Sequence, residues 1–220
     1  MSGAWSGRIA AVWLTGSAVA AAQEAPSGPI SRSDIQFVIG WQNLHKPATN
    51  NSDDWVNGIL FGGLGAGWYW TDHLKTQVDF GGGTSGHQYR YEPRFANGAD
   101  LTQFSRLEVR ETSLAIGQQY QFFRNQWFHP NVGGGVEIAR ETTTEAYDPV
   151  FGFDPVTRTS RQVAPARVEG PDHRFIARPF VQTGFKGYLT QRAFFTTDMR
   201  LMVRHGIDEV LFRAGFGIDF

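Results

Sequence analysis

His45, His73, His87, His129, His173 and His205 are the side chains of this 220-residue chain with the widest potential chemistry. No two of them are spaced to hold a metal, since no H-x-x-x-H or similar pair occurs. Cysteine is absent altogether, which removes thiolate ligands, a thiol nucleophile and disulfides together. Asp79-Phe80-Gly81 and Gly81-Gly82-Gly83-Thr84 spell fragments of phosphate-handling motifs. They lack the lysine and the strand-to-helix context such chemistry needs, and read instead as strand glycines over which a neighbouring aromatic ring can lie. The formal net charge is −1 with no basic stripe, so no nucleic-acid partner is expected. Neither a catalytic residue, a cofactor nor a metal follows from these residues.

What the sequence does arrange is charge. Lys75, Asp79, Glu137, Lys186, Asp198, Arg200, Arg204, Arg213 and Asp219 all fall on one parity of segments in which apolar residues occupy the other. A period of two places successive side chains on opposite faces of a strand. The first segment sets Ile35, Phe37, Ile39 and Trp41 against Gln36, Val38, Gly40 and Gln42. The last sets Val210, Phe212, Ala214, Phe216, Ile218 and Phe220 against Arg213, Gly215, Gly217 and Asp219. About eight such segments occur, of the length a tilted strand needs to cross hydrocarbon. Gln118 is a lone polar residue on an apolar face. The charged parity also holds the Gly and Gln, so it reads as a polar interior. A soluble barrel would reverse this, with its charges outside.

The fold class read from this is all-β, an eight-stranded antiparallel up-and-down transmembrane β-barrel. Short links at 71–73, 123–126 and 190–192 alternate with long ones at 43–54, 84–105 and 140–173, as periplasmic turns alternate with outer loops. Trp68, Trp70, Tyr120, Trp127 and Phe128 gather at the short links as an interfacial girdle, with Tyr69, Tyr188 and Phe194 nearby. An eight-stranded interior has room only for side chains, so the inward charges should pair and plug it. The loop at 140–173, with Tyr147, Phe151 and Phe153, offers contact material for an external ligand.

The N-terminus reads as a signal peptide over residues 1–22: Arg8, an apolar stretch from Ile9 to Val19, then Ala20-Ala21-Ala22. Residues 23–33 read as a linker and 34–220 as the barrel domain.

The alternating C-terminal run Phe212, Phe216, Ile218 and Phe220 resembles the assembly signal of bacterial outer-membrane proteins. Gly65-Ala66-Gly67-Trp68-Tyr69-Trp70-Thr71-Asp72-His73-Leu74 and Pro130-Asn131-Val132-Gly133-Gly134-Gly135 are similar to strands of the small OmpA-like barrels. The resemblance implies a monomer in outer-membrane lipid and lipopolysaccharide, inserted by the barrel-assembly machinery, with a non-enzymatic structural or surface-contact role. It ends with the last strand, so no peptidoglycan-binding domain is expected. Two alternatives accompany it. A lipid A deacylase would use His205 and Glu209 near the last outer turn, but the position where that pattern has serine is Ile207. A small-molecule carrier or conduit would need an open lumen.

Overall fold

The computed structural model describes residues 32–48, 53–96, 99–123, 127–204 and 206–220. The predicted signal peptide and nearly all of the predicted linker lie outside the described residues.

Eleven strands follow one another: β1 (Ser33–His45), β2 (Trp55–Tyr69), β3 (Leu74–Gly83), β4 (Gly86–Ala96), β5 (Ala99–Gln121), β6 (Phe128–Tyr147), β7 (Val150–Asp154), β8 (Thr159–Ala164), β9 (Arg167–Tyr188), β10 (Ala193–Val203) and β11 (Ile207–Asp219). Eight of them form a closed antiparallel ring in the order β1, β2, β3, β5, β6, β9, β10, β11 and back to β1. Closure pairs the first strand with the last over the whole run from Asp34↔Asp219 to Leu44↔Glu209. No strand edge is left open within the ring, the condition for a sheet in hydrocarbon.

The alternation fixes which way each residue points. Phe37, Leu64, Phe80, Ile116, Ile138 and Phe216 stand on the outside, each more than half exposed. Gln36, Gln77, Asp79, Glu137, Arg200 and Arg213 point inward and are buried. A polar interior beneath an apolar exterior is the arrangement for a barrel solvated by lipid. Gln118, the exception on the apolar face, donates to Thr76 Oγ1 at 2.7 Å, and Trp70 Nε1 donates to the same oxygen at 2.7 Å. Bulk inside is relieved by bare backbone. Phe194 lies over Gly217, where a Cβ would come within 2.3 Å of its Cζ, and Phe61 lies over Gly81 in the same way.

Two of the segments expected to be loops are largely strand. Residues 84–105 contain β4 and the start of β5, and 140–173 contain the end of β6, the β7–β8 hairpin and the start of β9. β5 has 23 residues and β9 has 22, whereas a tilted strand needs about 9–11 to cross hydrocarbon. At ~3.4 Å per residue, about a dozen extra residues carry the sheet roughly 40 Å further along the strand direction. The outer halves escaped the sequence reading because their outward face carries Arg106, Glu108, Arg110 and Arg140 and their inward face Gln88, Gln103, Ser105 and Glu141, so polar residues stand on both parities.

Candidate functional site: the charged lumen

Inward side chains group into three ionic layers. The first lies at the end with the short turns. Asp34 Oδ2 accepts from Tyr69 OH at 2.9 Å, Lys75 Nζ at 3.1 Å and Lys186 Nζ at 3.2 Å. Lys186 also donates to Asp219 Oδ1 at 2.5 Å and sits 3.7 Å from the centre of the Phe194 ring. Tyr188 donates to Asp219.

The second layer joins β3, β10 and β11. Arg213 makes a two-pronged bond to Asp198, Nε to Oδ1 at 2.9 Å and Nη2 to Oδ2 at 3.1 Å. Its Nη1 lies 3.3 Å from Asp79 Oδ2, which also takes Arg200 Nη2 at 2.5 Å. Arg200 lies over the Phe180 ring at 4.2 Å and donates to Gln182. Two cations meet two carboxylates here, so the layer is neutral. Over it, Val38, Phe61, Ala115, Phe180, Met202 and Leu211 pack as an apolar band.

In the third layer, Arg178 Nη2 lies 2.7 Å from both Glu111 Oε1 and Glu137 Oε1, and 2.6 Å from Glu209 Oε2. Gln42 Nε2 donates to Glu111 at 3.0 Å and Glu209 at 2.8 Å. These three carboxylates lie close enough together to suggest a metal site, but the Arg178 guanidinium already sits among them. Leu44, Val56, Ile59, Leu107 and Val109 form a second apolar cluster.

A cavity of about 730 Å³ opens at the outer mouth, lined by Lys46, Arg90, Glu141, Asp172, Arg174 and Arg178 among others. Glu141 binds Lys46, and Arg174 Nη2 lies 2.7 Å from its Oε1. Burial pushes the Glu141 carboxyl up, but Lys46 and Arg174 outweigh burial and hold it below the usual glutamate range.

Of the nine charges assigned to the lumen, eight are buried inside it. Arg204 is the correction. It lies just past the end of β10, is exposed, and pairs with Asp208 at 3.2 Å across the last outer turn. The strand ends one residue earlier than the alternation suggested, so parity no longer governs its direction. Trp68, Trp70, Tyr120, Trp127 and Phe128 are exposed at the short-turn end. Tyr69, Tyr188 and Phe194, grouped with them by proximity in sequence, point into the lumen instead. Phe212, Phe216, Ile218 and Phe220 line the outside of the closing strand.

The sequence reading missed Asp34, Glu111, Glu141 and Arg178 as lumen residues. Extending each strand's parity by a few residues past the segment drawn reaches all four. Glu209, weighed for catalysis, is fully enclosed between Arg178 and Gln42. His205 lies outside the described residues. The other histidines stay apart. His73 lies by Gln121 at the short-turn end, His45 packs on Trp55, and His173 meets Thr142 on β6. His45, His87 and His173 lie in strands rather than in the loops expected for them.

No family model and no curated protein matches the chain. Among solved structures, Neisserial surface protein A aligns with 86% of this chain and 97% of its own at 11% identity and a TM-score of 0.51. The outer membrane protein OprG from Pseudomonas aeruginosa aligns over 86% and 97% at 12% identity and 0.49. The outer membrane protease OmpT from Escherichia coli aligns over 86% and 97% at 8% identity and 0.49. At such identities the likeness is one of fold, and with its apolar exterior and charged bore the chain has the fold of the small, eight-stranded outer-membrane β-barrels of bacteria.

Proposed function

We propose that the protein is a non-enzymatic integral protein of the bacterial outer membrane, monomeric, with a lumen plugged by its own side chains and outer strands that contact an external ligand. Export through the segment at 1–22 and insertion by the barrel-assembly machinery, directed by Phe212, Phe216, Ile218 and Phe220, belong to the same reading.

The observation that carries it is the way the ionic layers tie distant strands together. Asp79 on β3 meets Arg200 on β10 and Arg213 on β11. Arg178 on β9 meets Glu111 on β5, Glu137 on β6 and Glu209 on β11. A continuous water path would have to part these pairs. Breaking a buried pair by removing one partner costs about 3–5 kcal/mol, because a charge is left without compensation. Val38, Phe61, Ala115, Phe180, Met202 and Leu211, packed by the second layer, add a stretch of apolar side chains to the same bore. A non-enzymatic role is supported by the scattered histidines and by the enclosure of Glu209.

Planar-bilayer recording on purified, refolded protein tests this. Heat-modifiable migration on a gel should first establish that the barrel is folded. The expected record is a silent bilayer at moderate voltage. Stable, stepwise conductance from the folded protein would overturn the plugged lumen, and location in the soluble fraction would overturn the membrane role.

A further inference from the structure

The outward face of β5, β6 and β9 changes character within one register step. Phe80, Leu114 and Ile138 are side by side across β3, β5 and β6, all exposed and apolar. The next outward row is Gly82, Thr112, Arg140 and Phe175. The row beyond pairs Arg110 with Thr142 and Thr142 with His173. Arg110 and Arg140 are therefore diagonal neighbours on adjacent strands, with Cβ atoms about 7–8 Å apart or less, near enough for two long side chains to converge on one anion.

Both arginines are exposed and neither has an ion pair or side-chain hydrogen bond among the described residues. The contrast is with Arg106, two rows further out, which is bound to Glu108 at 2.7 Å. Thr112 and Thr142 occupy the other two corners of the same register square, with Thr142 Oγ1 3.0 Å from His173 Nδ1. The Phe175 ring, 77% exposed, stands opposite Arg140. On the other side the same row continues over bare backbone at Gly82 and Gly62, and a Cβ at Gly62 would meet nothing within 4 Å. The strip thus offers two unpaired cations, an exposed ring and a smooth floor, all directly above the last apolar row.

From this geometry we propose that Arg110 and Arg140 hold a phosphate group of an anionic outer-leaflet glycolipid, lipid A being the occupant, with its acyl chains running down over Leu114 and Ile138. A guanidinium matches a phosphate with two parallel hydrogen bonds, and the pairing strengthens where water is scarce. The lipid source is favoured over free phosphate because the arginines continue the apolar belt, so a ligand anchored in the acyl layer is delivered to them at high local concentration. The inference rests on the outer-membrane reading above.

Native mass spectrometry of the detergent-purified protein, titrated with lipid A, tests it. Heat-modifiable migration of every variant first shows that the barrel is folded, so that a failure of the fold or location is seen separately. The wild type should bind at least one lipid A, and R110Q/R140Q should weaken binding about tenfold or more, as loss of one charge-assisted hydrogen bond implies. R106Q should bind as the wild type does. Lipid A stripped of its phosphates should bind as weakly to the wild type as intact lipid A binds to the double variant. Equal binding by the wild type and R110Q/R140Q, or no preference for the phosphorylated lipid, would overturn the site. Displacement of lipid A by millimolar inorganic phosphate would assign the arginines to the free anion and overturn the lipid.

Discussion

Arg213 shows how single side chains set the character of the lumen. It is almost wholly enclosed and holds Asp198 with two bonds while reaching Asp79. Removing it leaves three charges in the layer, two of them carboxylates with one cation between them. Arg213→Met should therefore destabilise the folded barrel by about 3–5 kcal/mol, read as a shift in the urea midpoint in lipid vesicles. Asp198→Asn alone should be costly for the converse reason. The two together should cost clearly less than their sum, since neither charge then lacks its partner, and strict additivity would show that the pair is not coupled. The same residues show what was legible in the sequence. Parity along a strand placed Asp79, Asp198, Arg200 and Arg213 together in the bore, because an ion on the lipid side is costly. Which ion meets which was not legible, since that depends on the stagger between strands far apart in sequence. Tyr69 and Tyr188, set near the girdle by proximity to other rings, share the parity of Gly67 and Lys186 on their strands, and that parity turns them into the lumen.

At the scale of the element, β6 passes through two solvents. Between Phe128 and Ile138 its outward residues are apolar and face the belt, while Thr142, Thr144 and Ala146 follow beyond it. A substitution of one kind should therefore have two outcomes on one strand. Val136→Arg puts a guanidinium on the lipid side and should cost about 2–4 kcal/mol if Val136 is near the midplane, less towards either interface. Thr144→Arg should fall within about 0.5 kcal/mol of the wild type, as exposed surface changes usually do. Equal effects in vesicle-based urea titrations would mean that the belt does not end where the apolar residues do. This division explains why strand interiors were readable and their outer ends were not. Alternation is visible only where the two faces meet different media. Beyond the belt, Gln88, Arg90, Gln103 and Glu145 stand on the inward face and Tyr89, Arg106 and Glu108 on the outward one, so polar residues occupy both parities. The sequence there looks like loop although the backbone pairs continuously from Ser105↔Tyr147 to Gln121↔Asn131.

For the whole molecule, the decisive property is the direction in which the barrel is turned inside out relative to a soluble protein. Trp41, Trp68, Trp70 and Trp127 are each about half exposed or more on the outer surface. In a membrane these indoles contact lipid, and in water they would form an exposed apolar belt far larger than a soluble monomer tolerates. Trp68, Trp70 and Trp127 lie by the short turns, whereas Trp41 pairs with Leu60 and Phe212 further along the strands. Lipids brominated at chosen depths along the acyl chain separate these positions. In single-tryptophan variants refolded into such vesicles, Trp41 should be quenched strongly by bromine within the acyl region. Trp68 and Trp70 should respond best to bromine near the head group, because an indole N–H keeps to the interface. Thr76, which accepts from Trp70 Nε1, fixes that ring in place and should sharpen its depth response. Lipid bromination without effect on any of the four would reverse the assignment of inside and outside. The ion layers would then face water, and the plugged bore, the belt and the arginine strip would lose their common basis.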